Sequence, residues 1–586
     1  MSTRQAALLL AGALAAHAGL TLHTLSGNAA TFDEGTHLPA GYTHLALGDH
    51  RLNPEQPPLV KLLAAAPLLA VSPKVKTEHV AWTTARQWEF GRRFLYSWND
   101  GDRLLFLGRL PMVVLTLGLI AAVFVRARGL AGATAAAVAL VLAALSPDLL
   151  AHGNLVTTDV ALALFLFLSA WAFDRLTRRA TWGGLILAGL AAGAALATKF
   201  SGLVLGPILL VLGAVAVGGQ RPLEIALAGP PRAVVGRVRR AGAVVGLLAG
   251  VGALALLVLW GSYGFRGAPS TDPAVQTDLR ATLEGPHQRL WQRALVAGAE
   301  LGVVPEDYAR GLLFVMTHSQ GRRTFLAGRL SDEGFAHYFV ATLLLKTPLP
   351  LLLLAALAIV RVPRLAPRSV AFVWVPMVIY LGFALGGGLQ IGHRHLLPVL
   401  PFLFVATGEA ASALARWRRP IGISLVALLA AWYAGGTLRN HPHHLAYFNE
   451  IAGGPENGWK VLVDSNLDWG QDLKRLGAWM EARGVEKIKL SYFGSADPAY
   501  YGIDCERLPG YAAPHPPRVT RQIRPGDVVA VSATNLQGVY LDPEDRPLME
   551  RLRASKPVGR AGQSILIYRA DFTWPPPRGA AAQTIQ

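Results

Sequence analysis

The strongest constraint on this chain is a recurring apolar run about twenty residues long. At 1.5 Å per helical residue such a run matches the ~30 Å hydrocarbon core of a bilayer. Runs of this kind lie at 6–27, 104–125, 130–147, 156–173, 182–197, 200–217, 241–262, 342–360, 369–388, 396–414 and 420–437. They predict a polytopic α-helical membrane protein with about 11 transmembrane helices. The stretch 182–217 is apolar almost throughout and would be roughly 54 Å long as one helix, so it reads as two spans turning at Thr198–Gly202. Composition agrees, because only 16% of the 586 residues are charged, against about 25% in soluble domains.

A net charge of +18 would by itself suggest nucleic acid, but the arrangement of the charges points elsewhere. Sixteen arginines fall in five short connections on one side of the predicted bundle, while the short turns of the other side hold only Lys199 and Arg394. This is the positive-inside bias, and it predicts a cytoplasmic N-terminus, with no nucleic acid among the expected partners. "AHA" at 16–18 has the form of a signal-peptidase site, but the apolar run continues to residue 27, which favours an uncleaved first helix. The single cysteine, Cys505, excludes an internal disulfide and a multi-cysteine zinc site.

Three segments are too long to be turns. The predicted division is a transmembrane domain over 1–437, an extracytoplasmic α/β domain over 438–575 and a disordered tail at 576–586. The transmembrane domain includes a first external loop at 28–103 and a large one at 263–341. In the first loop, "NPEQPPLVKLLAAAPLLAV" has an apolar run too short to span and is expected to lie along the membrane face. In the last segment "KIKLSYFG", "DVVAVSA" and "SILIYRA" alternate as strands, and "DLKRLGAWMEARG" and "DRPLMERLRAS" read as helices.

Chemistry-bearing residues collect on one side. Asp33, Glu34, His37, Asp159, Lys199, Lys346, His393, Arg394 and His395 all fall at predicted external helix ends or loops. A transporter would instead place ionisable groups near the midplane. The one-sided cluster suits a site where a membrane-anchored substrate meets a second substrate. In "TFDEGTH", Thr31 and Glu34 have the spacing of a capping box, and Asp33 is either a solvated acid or a general base. Asp159, a turn inside its span, is a helix-dipole partner or a second acid that orients the first, raises its pKa or helps to hold a divalent cation. His393, Arg394 and His395 stand at a helix N-terminus, an arrangement suited to phosphate. Lys199 and Lys346 add ammonium groups at the same level. Arg109, roughly 8 Å inside its span, calls for a partner such as Asp159 or a phosphate, or else snorkels.

Taken together, "FDEGTHLPAGYTHLALGDHRLNPEQPPLVKLL", "AHGNLVTTDVALALFLFLSAW", "ATKFSGLVLGP", "YFVATLLLKTPLPLL" and "IGHRHLLPVLPF" resemble the GT-C membrane glycosyltransferases. The pattern is most similar to glycosyltransferase family 39: the dolichyl-phosphate-mannose–protein mannosyltransferases, their bacterial relatives and the lipid A aminoarabinose transferases. The resemblance covers residues 1–415. It implies a polyprenyl-phosphate-linked sugar as donor, inverting transfer outside the membrane, and a protein, lipid or glycan acceptor. It further implies Asp33 as general base beside Glu34, Asp159 as the second acid, and Lys199 and Arg394 on the donor phosphate, to which His393, Lys346 and Arg109 are added here as candidates. No cofactor is expected, with a divalent cation left open. The segment "AYFNEIAGGPENGWKVLVDSNLDWGQDL" has counterparts in bacterial members but no role readable from its residues.

Overall fold

A computed structural model describes residues 1–576 apart from 221, 228, 273–274, 276–278, 280–288, 319–321 and 512–518. Most of the predicted tail, 577–586, lies outside the described residues. The chain begins with α1 (Thr3–Gly27), then folds α2 (Glu34–Ala46), α3 (Leu59–Ala65) and α4 (Gln87–Tyr96) into a layer at one end of a helical bundle. The bundle continues through α5 (Gly101–Ala144), the short α6 (Pro147–His152), α7 (Asp159–Leu176), α8 (Trp182–Thr198), α9 (Leu205–Gly218) and α10 (Arg237–Ser262). After α11 (Leu290–Glu300) and α12 (Glu306–His318) come α13 (Tyr338–Lys346), α14 (Leu349–Arg361), α15 (Pro367–Leu385), α16 (Leu400–Arg416) and α17 (Arg419–Arg439).

All eleven predicted spans fall on helix, yet they are not eleven separate spanning helices. Seven described helices are long and apolar enough to cross a membrane, or eight if α13 and α14 count as one bent span. α5 carries two predicted spans in one element, interrupted at Gly132 (φ 84°), inside the second predicted span rather than between the two. The helix runs on through Arg126 because that guanidinium is held by the buried Asp174 of α7 at 2.9 Å. Asp174 also binds Arg178 and Arg368, which closes this end of the bundle with a charge cluster. The predicted span 342–360 is two helices meeting at 117°. Pro348 stands at the corner, where it has no N–H to continue the first helix.

The C-terminal region forms the expected α/β unit. Its strands are β1 (Lys487–Ser491), β2 (Asp504–Arg507), β3 (Val528–Ser532), β4 (Gly559–Ala561) and β5 (Ile565–Arg569), in the order β2-β1-β3-β5-β4. β1 pairs parallel with β2 and β3, and β5 pairs antiparallel with β3 and β4. α18 (Leu473–Glu481) and α19 (Arg546–Ala554) complete it. The unit does not hang free of the bundle. Tyr338, Phe339 and Leu396 of the helical part share one hydrophobic cluster with Phe448, Leu467, Val531 and Leu566, so the core crosses the predicted boundary at 437/438.

The layer that carries the site is packed backbone to backbone. A Cβ added at Gly41 of α2 would lie 2.1 Å from the Lys61 carbonyl oxygen, and one at Gly91 of α4 would lie 1.8 Å from that of Gly35. Overpacking of this kind costs about 1–3 kcal/mol. Gly91→Ala is therefore expected to lower the thermal midpoint followed by size-exclusion of the heated protein. Gly12→Ala, where the added Cβ meets nothing within 4 Å, should leave it in place.

Candidate active site at the end of the bundle

The site is built on a buried ion pair between the first loop and α5. Glu34 is fully buried, and its Oε1 and Oε2 accept from Arg109 Nε and Nη2 at 2.8 and 2.7 Å. Oε1 also accepts from the Val156 N–H at 3.0 Å, and Oε2 from the Thr31 N–H and hydroxyl, each at 2.9 Å. The remaining Arg109 donors go to the carbonyls of Leu25, Asn28 and Ala29. This corrects two expectations. The capping box does not form as read, because the Thr31 hydroxyl donates to Glu34 instead of accepting from its N–H, and α2 starts at Glu34 itself. Arg109 does not face a lipid phosphate and Glu34 does not face a substrate, since each is enclosed and saturated by the other. They fix the loop.

One residue before Glu34, Asp33 emerges from this anchor with its side chain a quarter exposed, while those of Glu34 and Asp159 are 0% and 1% exposed. Of the three predicted acids it alone presents a carboxylate to an incoming molecule. Arg394 Nη1 donates to Asp33 Oδ2 at 2.9 Å and to Asp159 Oδ2 at 3.3 Å, and Lys199 Nζ donates to Asp159 Oδ1 at 2.5 Å. The result is a chain of alternating charge, Lys199–Asp159–Arg394–Asp33. It draws on the helix end before Lys199, the first turn of α7, the turn leading into α16 and the start of α2. Asp159 thus orients two cations and touches no open space. Arg394 Nε is buried with no hydrogen-bond partner among the described residues.

The other predicted cations are used differently. Lys346 Nζ donates to the carbonyls of Leu445 and Asn466 at 2.8 and 2.5 Å, under the Phe448 ring. His393 is 1% exposed, with Nδ1 3.3 Å from the Thr342 hydroxyl and Nε2 3.6 Å from Asp148. Neither is open to a phosphate, because each is drawn onto a protein partner by burial at the junction with the C-terminal segment. His37 donates from Nδ1 to the Val156 carbonyl at 2.8 Å, and His395 lies edge-on to Phe339.

What the sequence reading missed is that this junction completes the site. The Trp469 ring lies under the Arg394 guanidinium at 4.2 Å, and its carbonyl accepts the Phe32 N–H at 2.8 Å, next to Asp33. Asn466 Oδ1 accepts the His393 N–H at 2.8 Å, next to Arg394, and Ser465 donates to the Ile391 carbonyl at 2.8 Å. Ser495 donates to the carbonyls of Thr31 and Phe32. The stretch "DSNLDWGQD" therefore clamps both ends of the Asp33–Arg394 pair. At its first residue, Asp464 (φ 57°) accepts from Tyr540 at 2.5 Å, burial raises its pKa, and Tyr540 belongs to an aromatic group with Phe32, Phe493 and Tyr511. The available signal was compositional: Asp, Asn, Gln and Trp crowded together with neither strand nor helix periodicity.

A desolvated cation–π contact is worth about 2 kcal/mol, or roughly thirtyfold in an equilibrium. Trp469→Ala should accordingly weaken whatever anion Arg394 holds by about that factor in a titration, and Trp469→Phe should restore most of it. Removing the charge from Arg109 with Arg109→Met strands Glu34 in the interior, and the expected cost is about 3–5 kcal/mol, seen as loss of monodisperse folded protein.

Comparison with known proteins adds to this geometry. Residues 101–226 match the model of the dolichyl-phosphate-mannose-protein mannosyltransferase family, the family that the motifs on either side also resemble. No curated protein matches the chain. Among solved structures, it aligns with ArnT from Cupriavidus metallidurans bound to undecaprenyl phosphate at 14% identity and a TM-score of 0.47, covering 97% of this chain and 98% of that one. It aligns with the apo oligosaccharyltransferase of Archaeoglobus fulgidus at 12% identity and a TM-score of 0.49, covering 99% and 76%. With the S. cerevisiae Pmt1-Pmt2 complex bound to the sugar donor the identity is 15% and the TM-score 0.32, over 45% and 33%.

Proposed function

We propose that this protein is a glycosyltransferase that moves a sugar from a polyprenyl-phosphate donor to an acceptor hydroxyl or amine, with inversion at the anomeric carbon. The observation that carries this reading is the Lys199–Asp159–Arg394–Asp33 chain, which ends in an accessible carboxylate and has a buried, partly unsatisfied guanidinium directly behind it. A buried donor without an acceptor costs about 1–3 kcal/mol, and a phosphate oxygen at Arg394 Nε relieves it. The match of residues 101–226 to the mannosyltransferase family model supports the same chemistry.

Asp33 takes the proton of the acceptor as its oxygen or nitrogen attacks the anomeric carbon. The bond from that carbon to the phosphate oxygen breaks, and the oxygen leaves with the electron pair. Arg394 and Lys199, held in place by Asp159, stabilise the charge that develops there. The arginine bias of the opposite connections supports an orientation with this end of the bundle outside the membrane, facing the bacterial envelope. Protein, lipid and glycan acceptors all fit a nucleophile approaching from outside.

A general base contributes about 10²–10⁴-fold. Asp33→Asn should lower kcat by that factor while the protein stays folded and keeps its affinity for a polyprenyl-phosphate donor. Lipids extracted from cells carrying only this variant should accumulate the polyprenyl-phosphate sugar. Near-normal turnover in Asp33→Asn would overturn the assignment.

A further inference from the structure

α7 carries ionic groups at both of its ends, and only one set belongs to the proposed reaction. Asp159 stands in its first turn and Asp174 fifteen residues on, roughly 22 Å away at 1.5 Å per residue. Asp174 is 1% exposed and accepts from three guanidiniums. Arg126 Nη2 of α5 donates at 2.9 Å, Arg178 Nε and Nη2 at 3.2 and 3.0 Å, and Arg368 Nε of α15 at 2.9 Å. Arg368 also donates to the Asp174 carbonyl and the Thr177 hydroxyl, at 2.9 and 2.8 Å.

The charges of this cluster do not cancel. Three guanidiniums against one carboxylate leave two positive charges in excess. Water screens them incompletely, since the side chains of Arg126 and Arg368 are only 9% and 25% exposed, while that of Arg178 reaches out at 46%. Charge taken out of water calls for a counter-charge, and the neighbouring sequence is short of acids. The segments 126–131, 174–181, 219–236, 361–367 and 416–419 at this end contain one acid besides Asp174. That acid, Glu224, faces Arg179 at 3.9 Å. Glu409 of α16 is taken up by Arg361 at 2.7 Å.

The level of the cluster in the bundle selects the anion. α7 has 18 residues, about 27 Å of helix, close to the thickness of the hydrocarbon core. Asp174 and Arg178 thus stand where the apolar span stops. Trp182, at the start of α8, and Trp417, just after α16, lie at the same end and are 60% and 55% exposed. Exposed indoles of this kind mark the headgroup level of a bilayer. A lipid phosphate lies at that level, and guanidiniums suit its oxygens in charge and in shape. The Nη1 groups of Arg126 and Arg178 make no hydrogen bond among the described residues.

We propose that Arg126, Arg178 and Arg368 form a binding site for the phosphate of an anionic phospholipid, with Asp174 as the buried anchor that holds the three together. The site is independent of the glycosyltransferase reading. The test uses the full-length protein in nanodiscs, with phosphatidylglycerol, phosphatidylcholine and inorganic phosphate as probes and native mass spectrometry to count retained lipid. Phosphatidylglycerol should be retained in preference to phosphatidylcholine at equal mole fraction, and inorganic phosphate should not displace it. Arg178→Gln and Arg368→Gln should each weaken its retention about fivefold, the worth of one basic side chain at an anionic surface. Arg86→Gln, which removes a half-exposed guanidinium at the other end of the bundle, should leave it unchanged.

Equal retention of the two lipids, full retention in both Arg178→Gln and Arg368→Gln, or an equal loss in Arg86→Gln overturns the proposal. Displacement of the lipid by inorganic phosphate at equal concentration would make this a site for the free anion and overturns it as well. Thermal midpoints show whether the variants fold. Should Arg368→Gln fail to fold, Arg178→Gln decides by itself, because its half-exposed side chain is the least enclosed of the three.

Discussion

Everything at this end of the molecule depends on one buried contact, the two-pronged pairing of Glu34 with Arg109. A carboxylate and a guanidinium taken out of water are stable only when geometry and extra hydrogen bonds offset their desolvation. Here Glu34 collects five donor contacts and Arg109 reaches three backbone carbonyls besides. The pair ties the chain leaving α1 to the middle of the first turns of α5 and to the loop before α7. Asp33 inherits its position from this knot, since it is the neighbouring residue and its backbone carbonyl accepts from Thr36 and His37 at the start of α2. Two adjacent acids thus differ in setting: one is locked inside, and the other is held with its carboxylate partly exposed.

From that fixed point the charge alternates through Arg394, Asp159 and Lys199. Alternation matters physically, because each group in the chain has a neighbour of opposite sign to offset its burial. The side chains come from parts of the sequence more than 350 residues apart, and the C-terminal segment binds them into one unit. Trp469 lies under Arg394 and holds the backbone beside Asp33, while Asn466 holds the backbone beside Arg394. The α/β unit is thereby part of the site and not an appended module, and its hydrophobic core runs without a break into the bundle.

Much of this was legible in the residues. Apolar length and charge bias described the bundle, period-two alternation located β1, β3 and β5, and Asp33, Asp159, Lys199 and Arg394 were picked out by their level relative to the spans. Those four do converge. The errors share one cause. Arg109, Lys346 and His393 were assigned to phosphate because a cation near a helix end has many candidate partners, and sequence does not say which is nearest. Glu34, a backbone carbonyl of the C-terminal segment, and Asp148 proved nearer.

By itself the sequence determined a helical membrane protein with its chemistry gathered at one end, since hydrocarbon thickness and the cost of burying charge act on each segment separately. Tertiary structure alone decided which charges meet, which acid stays open and what "DSNLDWGQD" does. Hydrogen bonds and ion pairs act within about 3 Å, and the distances along the chain that they bridge here carry no periodic signature to read.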